Sequence, residues 1–399
     1  MALSLGKLLA GAGIGLSAGY VAVRLCEAWQ QWRVPTDSVS KGARAYSGIR
    51  RALDVAETVR STAGFAAFAY APIAARADDA TSTIPPWLRP AAYFAAFSLA
   101  SSAFELPVAF VEGYALEGRF GLSDQTRADW LADYAKSSLI STGFSALLAT
   151  LFGFVLRRAP RAWPFWASAG AFPLFVIGNV IVPLYIMPLF NKFEPVTGSL
   201  ETRLRALATR FGVGDASILR MDMSRQTRKA NAFVTGIGRT HRIVLGDTLV
   251  EAFPESEIEF VVAHELGHYV NKDTWRLIGL GELLAIALFA IAARGISEPE
   301  LTSLRDRPLL IVRLYALMLV ATQVLRPLLF AFSRSREWAA DRFAIAATGD
   351  ALGGAAAFRR LRDQNLTDED PPGWYELFFA SHPSLRERIA ALETAKESP

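Results

Sequence analysis

The chain has 399 residues, and its hydrophobic fraction of 52% and mean hydropathy of +0.25 are too high for an ordinary water-soluble enzyme. The formal net charge of +4 is small and the arginines are scattered through connecting segments, which argues against a nucleic-acid partner. The single cysteine, Cys26, excludes an internal disulfide.

Apolar segments dominate residues 1–190 and predict membrane spans one to five with their connectors. The first segment is interpreted as a retained span and not as a cleaved signal peptide, because Arg24 follows it without a small-residue cleavage site. The polar, basic residues 26–60 predict a loop with some helix. The five spans are expected at about residues 3–23, 61–75, 91–115, 137–156 and 165–190.

Residues 191–275 form a long, more polar segment that predicts a small α+β unit on one side of the membrane. Apolar residues at helical spacing from Leu200 to Phe211 predict a surface helix that ends at Gly212. Three short strands are predicted where the sequence reads SILRMDMS, NAFVTGIG and RIVLGD. A mixed unit of this kind can offer an edge strand to a peptide substrate.

The motif HELGH lies near the end of this segment and predicts a metal site on a helix. His264 and His268 are four residues apart, so a helix places both imidazoles on one face, where they can bind one metal ion. Glu265 points off that line and can take a proton from a water held by the metal. Zinc is the metal that this ligand pattern favours.

Two further spans are predicted within residues 276–332, at about 277–296 and 308–332. Ionisable residues within the predicted spans are costly in lipid and predict a hydrated cavity, although a dry pair between Glu105 and Arg313 is the alternative. These residues are Glu105, Glu282, Arg313 and Arg326.

The C-terminal segment 333–399 is predicted to be helical and to carry the third metal ligand. Glu337 is the predicted ligand, because a downstream glutamate is the usual partner of a two-histidine helix. Asp341, one helical turn later, is predicted to accept a hydrogen bond from a ligand imidazole. The competing interpretation of this pair is a solvated charged face. Ser384 and Glu387 form a capping-box pattern just after His382.

The predicted topology places the two halves of the metal site on the same side of the membrane. Two spans separate His268 from Glu337, so the chain crosses and returns. Lysines and arginines number 11 in residues 191–275 and 9 in residues 333–399, against 3 in residues 157–163 and 2 in residues 297–307. By the positive-inside rule, the site faces the cytoplasm and the N-terminus lies outside.

Taken together, these motifs resemble the integral-membrane zinc metalloproteases of the CAAX prenyl protease type, the type I CAAX endopeptidases. The resemblance covers most of the chain from Phe120 onward. It is carried by FGLSDQT, PLFNKFEPV, NAFVTGIGRTHRIVLGDTL, VVAHELGHYVNKD, SRSREWAADRFA and SHPSLRERIAAL.

This resemblance implies a mainly α-helical, polytopic protein in which about seven transmembrane helices surround an intramembrane chamber, together with a small zincin-like α+β unit. It also implies one zinc ion per chain on His264, His268 and Glu337, with Glu265 as the general base. Asn231 and His382 are implied to contact the substrate peptide or the developing oxyanion.

The function expected from the residues and the resemblance is peptide-bond hydrolysis by a zinc-activated water, on prenylated or membrane-associated peptides. The alternatives are a heat-shock-type membrane quality-control protease and, from another class, a transporter or channel with a structural metal. The composition is typical of a bacterial homologue, so the expected location is the bacterial inner membrane, with a peptide or membrane-protein substrate, the lipid bilayer as partner, no nucleic acid and a monomeric state.

Overall fold

The structure is a computed structural model that describes residue 26 and residues 28–33, 39–236, 240–304 and 306–395. The predicted first span, at about residues 3–23, lies outside the described residues.

Long helices make up most of the described chain. Five of them are long and apolar enough to cross a membrane, and they correspond to the predicted third to seventh spans. These are Arg89–Arg119, Arg127–Arg158, Trp163–Leu189, Asp273–Gly295 and Pro308–Thr348. The first contains the α-helices Arg89–Phe110 and Leu116–Arg119 joined by a π-helical turn at Val111–Ala115, and the third ends in the π-helical turn Val182–Ile186 and the 3-10 turn Met187–Leu189. The short helices Pro72–Ala80 and Glu298–Leu304 lie in connectors.

The expectation of a loop at residues 26–60 was wrong for most of that range. A single helix, Val39–Tyr70, runs for 32 residues and includes much of the predicted second span. Its polar first half is helical because tertiary contacts satisfy its side chains: Arg51 is paired with Asp368, and the Tyr375 hydroxyl donates to Asp54 at 2.5 Å. At 1.5 Å per residue the helix is about 48 Å long, but among the described helices it is not one of the five that are both long and apolar enough to cross a membrane.

The connectors between the long helices meet at two opposite ends. At one end, buried Asp78 lies 3.3 Å from Arg89 and is also paired with Arg307. At the other end, Lys229 lies 2.8 Å from Glu117. The α+β segment and the C-terminal segment therefore share one end of the helical bundle, as the predicted topology requires.

The α+β segment contains a four-stranded sheet with the strand order β1-β2-β4-β3. Strands β2 and β4 are parallel, and the other two pairs are antiparallel. The three predicted strands are confirmed; β1 is an addition, and its three residues are too few for a periodic signal. The strands are β1 Phe193–Pro195, β2 Ser217–Met221, β3 Ala232–Thr235 and β4 Arg242–Gly246.

Helices cover this sheet and form one buried core with it. The predicted surface helix is confirmed at Ser199–Arg210, and the short helix Asp247–Ala252 follows β4. The motif helix, Glu255–Val270, buries Phe260 and Leu266 completely against this core. Burial of such side chains contributes about 1.5–3 kcal/mol each, so the core holds the motif helix firmly in place.

The predicted boundary at residues 332 and 333 is absent from the structure, because one helix of 41 residues, Pro308–Thr348, contains both the seventh span and the predicted third ligand. Its apolar first half continues without a break into an amphipathic second half. It ends at Gly349, which has a positive φ of 68°. Three more helices follow up to residue 395, where the described residues end: Ala351–Asn365, Gly373–Phe379 and Leu385–Ala395.

Candidate metal centre

The motif helix packs closely against the second half of helix Pro308–Thr348. A Cβ atom at Gly267 would lie 3.1 Å from the Cα atom of Ala340 and from the ring of Phe343. The glycine in HELGH thus permits an approach that a side chain would obstruct. This approach brings His264 and Glu337 together, although 73 positions separate them in the sequence.

The three predicted ligands converge in the structure. The Nε2 atom of His264 lies 3.3 Å from Oε2 of Glu337, and Nε2 of His268 lies 3.4 Å from Oε1 of the same carboxylate. One ligand atom from each of the three residues lies within 4.8 Å of the others. His264 and Glu337 are buried.

These distances fit a tetrahedral metal ion. Zinc–ligand distances of about 2.0–2.1 Å in tetrahedral geometry separate the ligand atoms by about 3.3–3.4 Å. Among the described residues, no hydrogen bond reaches the buried Oε2 of Glu337; the atoms beside it are Nε2 of His264 at 3.3 Å and Nη1 of Arg388 at 3.4 Å. The site also favours positive charge: burial lowers the pKa of His264, but the carboxylates of Asp341 and Glu337 outweigh it and raise that pKa to about 9.

The outer nitrogen of His264 is supported by a buried ion pair, which we call the His264 arm. Nδ1 of His264 lies 2.9 Å from Oδ1 of Asp341, so the predicted contact of Asp341 is present. Arg388 binds the same carboxylate through two nitrogens, Nη2 at 2.6 Å and Nε at 2.8 Å. Its guanidinium also lies 4.2 Å from the ring centroid of Phe358. Such support fixes the orientation and tautomer of a ligand imidazole.

A second arm of the same chemistry, the His268 arm, was not predicted. Nδ1 of His268 lies 3.0 Å from Oδ2 of Asp273, and Nε of Arg336 donates to Oδ1 of Asp273 at 2.7 Å. Asp273 is five residues beyond His268 and begins the next span. Lys272, with a left-handed φ of 56°, turns the chain between the two helices. The closeness of Asp273 to the motif was the only signal in the sequence.

Glu265 lies beside the edge strand β3. Burial raises the pKa of its carboxyl group, and the nearby backbone N–H of Val234 lowers that pKa by a smaller amount. A carboxyl group with a raised pKa is suited to accept a proton from water and to release it again.

The structure places His382 at the open side of the ligand cluster. Its Nε2 atom lies 3.3 Å from Oε1 of Glu337, and its side chain is 61% exposed. The predicted cap after it is present, because the backbone N–H of Glu387 donates to Oγ of Ser384 at 3.2 Å. The imidazole of His382 can therefore reach a molecule that enters the site from solvent.

Asn231 immediately precedes β3 and is exposed. Its backbone C=O accepts a hydrogen bond from the N–H of Gly246 at 2.9 Å. In the described part of the chain, no hydrogen bond is formed by its carboxamide. Its role toward a substrate stays a prediction.

Comparisons with known proteins were made by sequence and by structure. Residues 195–396 match the family model described as Peptidase family M48. Residues 33–192 match the model described as CAAX prenyl protease N-terminal, five membrane helices. The two matches together cover nearly all of the described chain.

Individual proteins agree with the family matches. The chain is 31% identical over 316 residues to "Uncharacterized metalloprotease YhfN" of Bacillus subtilis, covering 76% of this chain and 72% of that protein. It is 28% identical over 326 residues to CAAX prenyl protease 1 of Saccharomyces cerevisiae, covering 74% and 70% of the two chains. The fold is similar to the crystal structure of S. mikatae Ste24p, with a TM-score of 0.79, 21% identity and coverage of 97% and 98%.

Proposed function

The chain belongs to peptidase family M48, and from this membership we propose that His264, His268 and Glu337 bind one zinc ion and that Glu265 is the general base. The protein is an integral-membrane metalloendopeptidase, and a transporter or channel is not favoured. The observation that carries the zinc proposal is the pair of 3.3 and 3.4 Å separations between the imidazole nitrogens and the Glu337 oxygens.

Zinc, when bound, acts as a Lewis acid toward the scissile carbonyl and lowers the pKa of a water. The carboxylate of Glu265 takes the proton from the attacking water and then delivers it to the nitrogen of the leaving amine. The raised pKa of Glu265 supports this two-way transfer, because a strongly acidic carboxyl group would not retain the proton.

His382 and Asn231 are proposed to act on the substrate itself. The Nε2 atom of His382, beside Glu337 and open to solvent, donates a hydrogen bond to the oxyanion that develops on the scissile carbonyl. Asn231 stands at the start of the edge strand, where its exposed carboxamide can bind the backbone of an extended peptide.

The decisive experiment is the comparison of wild-type protein with Glu265→Gln. We expect the variant to keep about one zinc ion per chain and to lose peptide cleavage by at least about a hundredfold, as removal of a general base predicts. Metal analysis and cleavage of a fluorogenic peptide by detergent-solubilised protein measure the two quantities. Loss of zinc together with activity would show that Glu265 is a ligand and not the base.

We also propose that the spans surround a hydrated chamber. Few residues are buried in the most apolar stretches of Arg89–Arg119 (0%) and Trp163–Leu189 (6%), so the bundle is not closely packed along these two spans. Glu105 and Arg313 do not pair with each other: Glu105 lies 3.3 Å from Arg60, and Arg313 is paired with Glu300. The dry pair weighed in the sequence analysis is therefore absent. Partners of this kind lower the cost of charge, and water in a chamber lowers it further.

Thiol labelling tests the chamber. Cysteines are introduced by Glu105→Cys, Glu282→Cys and Arg313→Cys in a Cys26→Ser background and exposed to a small membrane-impermeant reagent. We expect labelling at two or more of these positions in active protein. Complete protection at all three would show a dry bundle.

The proposed substrates are peptides of membrane-associated proteins, since relatives of this chain are CAAX prenyl proteases. A farnesylated peptide and its unmodified counterpart, cleaved side by side, show whether the lipid is recognised.

We further propose that the protein is monomeric and lies in the bacterial inner membrane with residues 191–275 and 333–399 in the cytoplasm. Protease digestion of right-side-out and inverted vesicles tests this orientation.

A further inference from the structure

The edge strand β3 presents its free backbone groups on alternate residues. Gly246 donates to the C=O of Asn231, and β3 pairs antiparallel with β4 in the register that continues from this bond. In an antiparallel pair, every second residue directs its N–H and C=O away from its neighbour. Ala230, Ala232 and Val234 therefore direct their backbone groups toward the open edge.

Two of these three residues already have partners on the open edge. The N–H of Val234 lies beside the carboxylate of Glu265 and lowers its pKa. The N–H of Ala230 donates to Oδ1 of Asn365 at 2.8 Å, and its C=O accepts from Nδ2 of Asn365 at 3.1 Å. The carboxamide of Asn365 thus makes the same pair of bonds as a residue in a neighbouring strand, because it carries one acceptor and one donor side by side.

Ala232, between them, is different. Within the described residues, its outward N–H and C=O have no hydrogen-bond partner. Backbone N–H and C=O groups are strong hydrogen-bonding groups, so an unpaired pair on a strand edge favours the addition of another strand. An extended peptide lying along β3 would supply both missing bonds.

We infer that Asn365 determines substrate specificity by ending the edge of β3, so that an extended substrate pairs with Ala232 and can go no further toward Ala230. This inference rests on the proposed peptidase function. Two residues of a strand span about 6.8 Å, so the carboxamide of Asn365 occupies the place of the next substrate residue that would pair. The number of substrate residues bound on that side is therefore limited.

The position of Asn365 is itself well determined. It is the last residue of helix Ala351–Asn365, and the following residue, Leu366, has a left-handed φ of 50°. The hydroxyl of Ser47 donates to the C=O of Leu366 at 3.0 Å, which ties this corner to helix Val39–Tyr70. These contacts fix the position of Asn365, so its side chain can block an extended peptide at the end of β3.

The neighbouring Gln364 offers a matched control. Its Nε2 atom donates to the C=O of Arg228 at 2.8 Å, so it holds the same loop without touching the edge groups of β3. Gln364→Ala should loosen the loop that contains Arg228, as Asn365→Ala does. It should leave the hydrogen bonds between Asn365 and Ala230 in place.

The test uses two nested series of fluorogenic peptides, extended one residue at a time on either side of the scissile bond. In wild-type protein we expect kcat/KM to stop rising at a defined length on one side. In Asn365→Ala the rise should continue for two more residues on that side, by about tenfold in total for two net hydrogen bonds, and remain unchanged on the other side. Asn365→Asp, which still accepts from the N–H of Ala230, should keep the wild-type limit.

Several outcomes separate this inference from its alternatives. An equal fall of kcat/KM for all lengths in Asn365→Ala and Gln364→Ala would show that Asn365 only supports the loop, which overturns the inference. Asn365→Ser replaces the alanine variant if that protein does not accumulate. Cleavage by wild type that persists in Glu265→Gln would refute the proposed function instead, whatever the length dependence.

Discussion

The two arms behind the proposed metal ligands His264 and His268 use the same chemistry in different surroundings. In each, an imidazole contacts a buried aspartate, and an arginine binds that aspartate. The side chains of the His264 arm are 8% exposed or less, whereas His268 is 24% and Arg336 18% exposed. The His264 arm is held by the last helix of the chain, and the His268 arm by the start of a membrane span.

This difference predicts that a supporting residue contributes more to metal binding when it is buried. A charge without its partner costs more in a buried site than near solvent, because water cannot replace the lost contact. The bidentate grip of Arg388 on Asp341 should therefore matter more than the single hydrogen bond from Arg336 to Asp273. The following variants test this ranking, from the largest expected effect to the smallest.

The largest effect is expected where the arms meet, at Glu337. Glu337→Ala removes the carboxylate that approaches both imidazoles, so the metal should be lost and peptide cleavage should fall below detection. Metal analysis after gel filtration measures the loss. Retention of one metal ion per chain would show that Glu337 is not a ligand.

The next effect is expected in the buried arm. Asp341→Asn should keep the metal but weaken its affinity by about ten- to a hundredfold, because the amide cannot orient His264 and also accept the two bonds from Arg388. Competition with a chelator of known affinity measures the change. Metal content equal to that of Glu337→Ala would place Asp341 among the direct ligands.

Asp273→Asn makes the same change in the partly exposed arm. We expect a loss of metal affinity near the low end of the range, about tenfold, because water can take over part of the contact with His268. The same chelator titration measures it. A loss larger than that of Asp341→Asn would reverse the ranking of the two arms.

The smallest effects are expected from the arginines. Lysine cannot reproduce a bidentate guanidinium, so Arg388→Lys should weaken metal binding by about tenfold, and Arg336→Lys by less than about threefold. Thermal unfolding of both variants serves as the control for general destabilisation. Equal effects of the two substitutions would mean that burial does not distinguish the arms.

Features that depend on local periodicity could be predicted from the sequence. The four-residue spacing of His264 and His268, and of Glu337 and Asp341, places each pair on one helical face whatever the rest of the chain does. The third to seventh spans and the strands β2, β3 and β4 were predictable for the same reason, because hydrophobic patterns with a period of helix or strand are local properties.

Contacts between distant segments were decided by the tertiary structure. Arg388 reaches Asp341 across 47 positions, Arg336 reaches Asp273 across 63, and Asn365 reaches Ala230 across 135. Nothing in the spacing of these residues identifies their partners, since the path of the chain between them determines which faces meet. The polar half of helix Val39–Tyr70 has the same explanation, because Arg51 and Asp54 find their partners, Asp368 and Tyr375, in the C-terminal segment. Local periodicity therefore predicted which residues share a helical face, and long-range packing determined which of those faces meet.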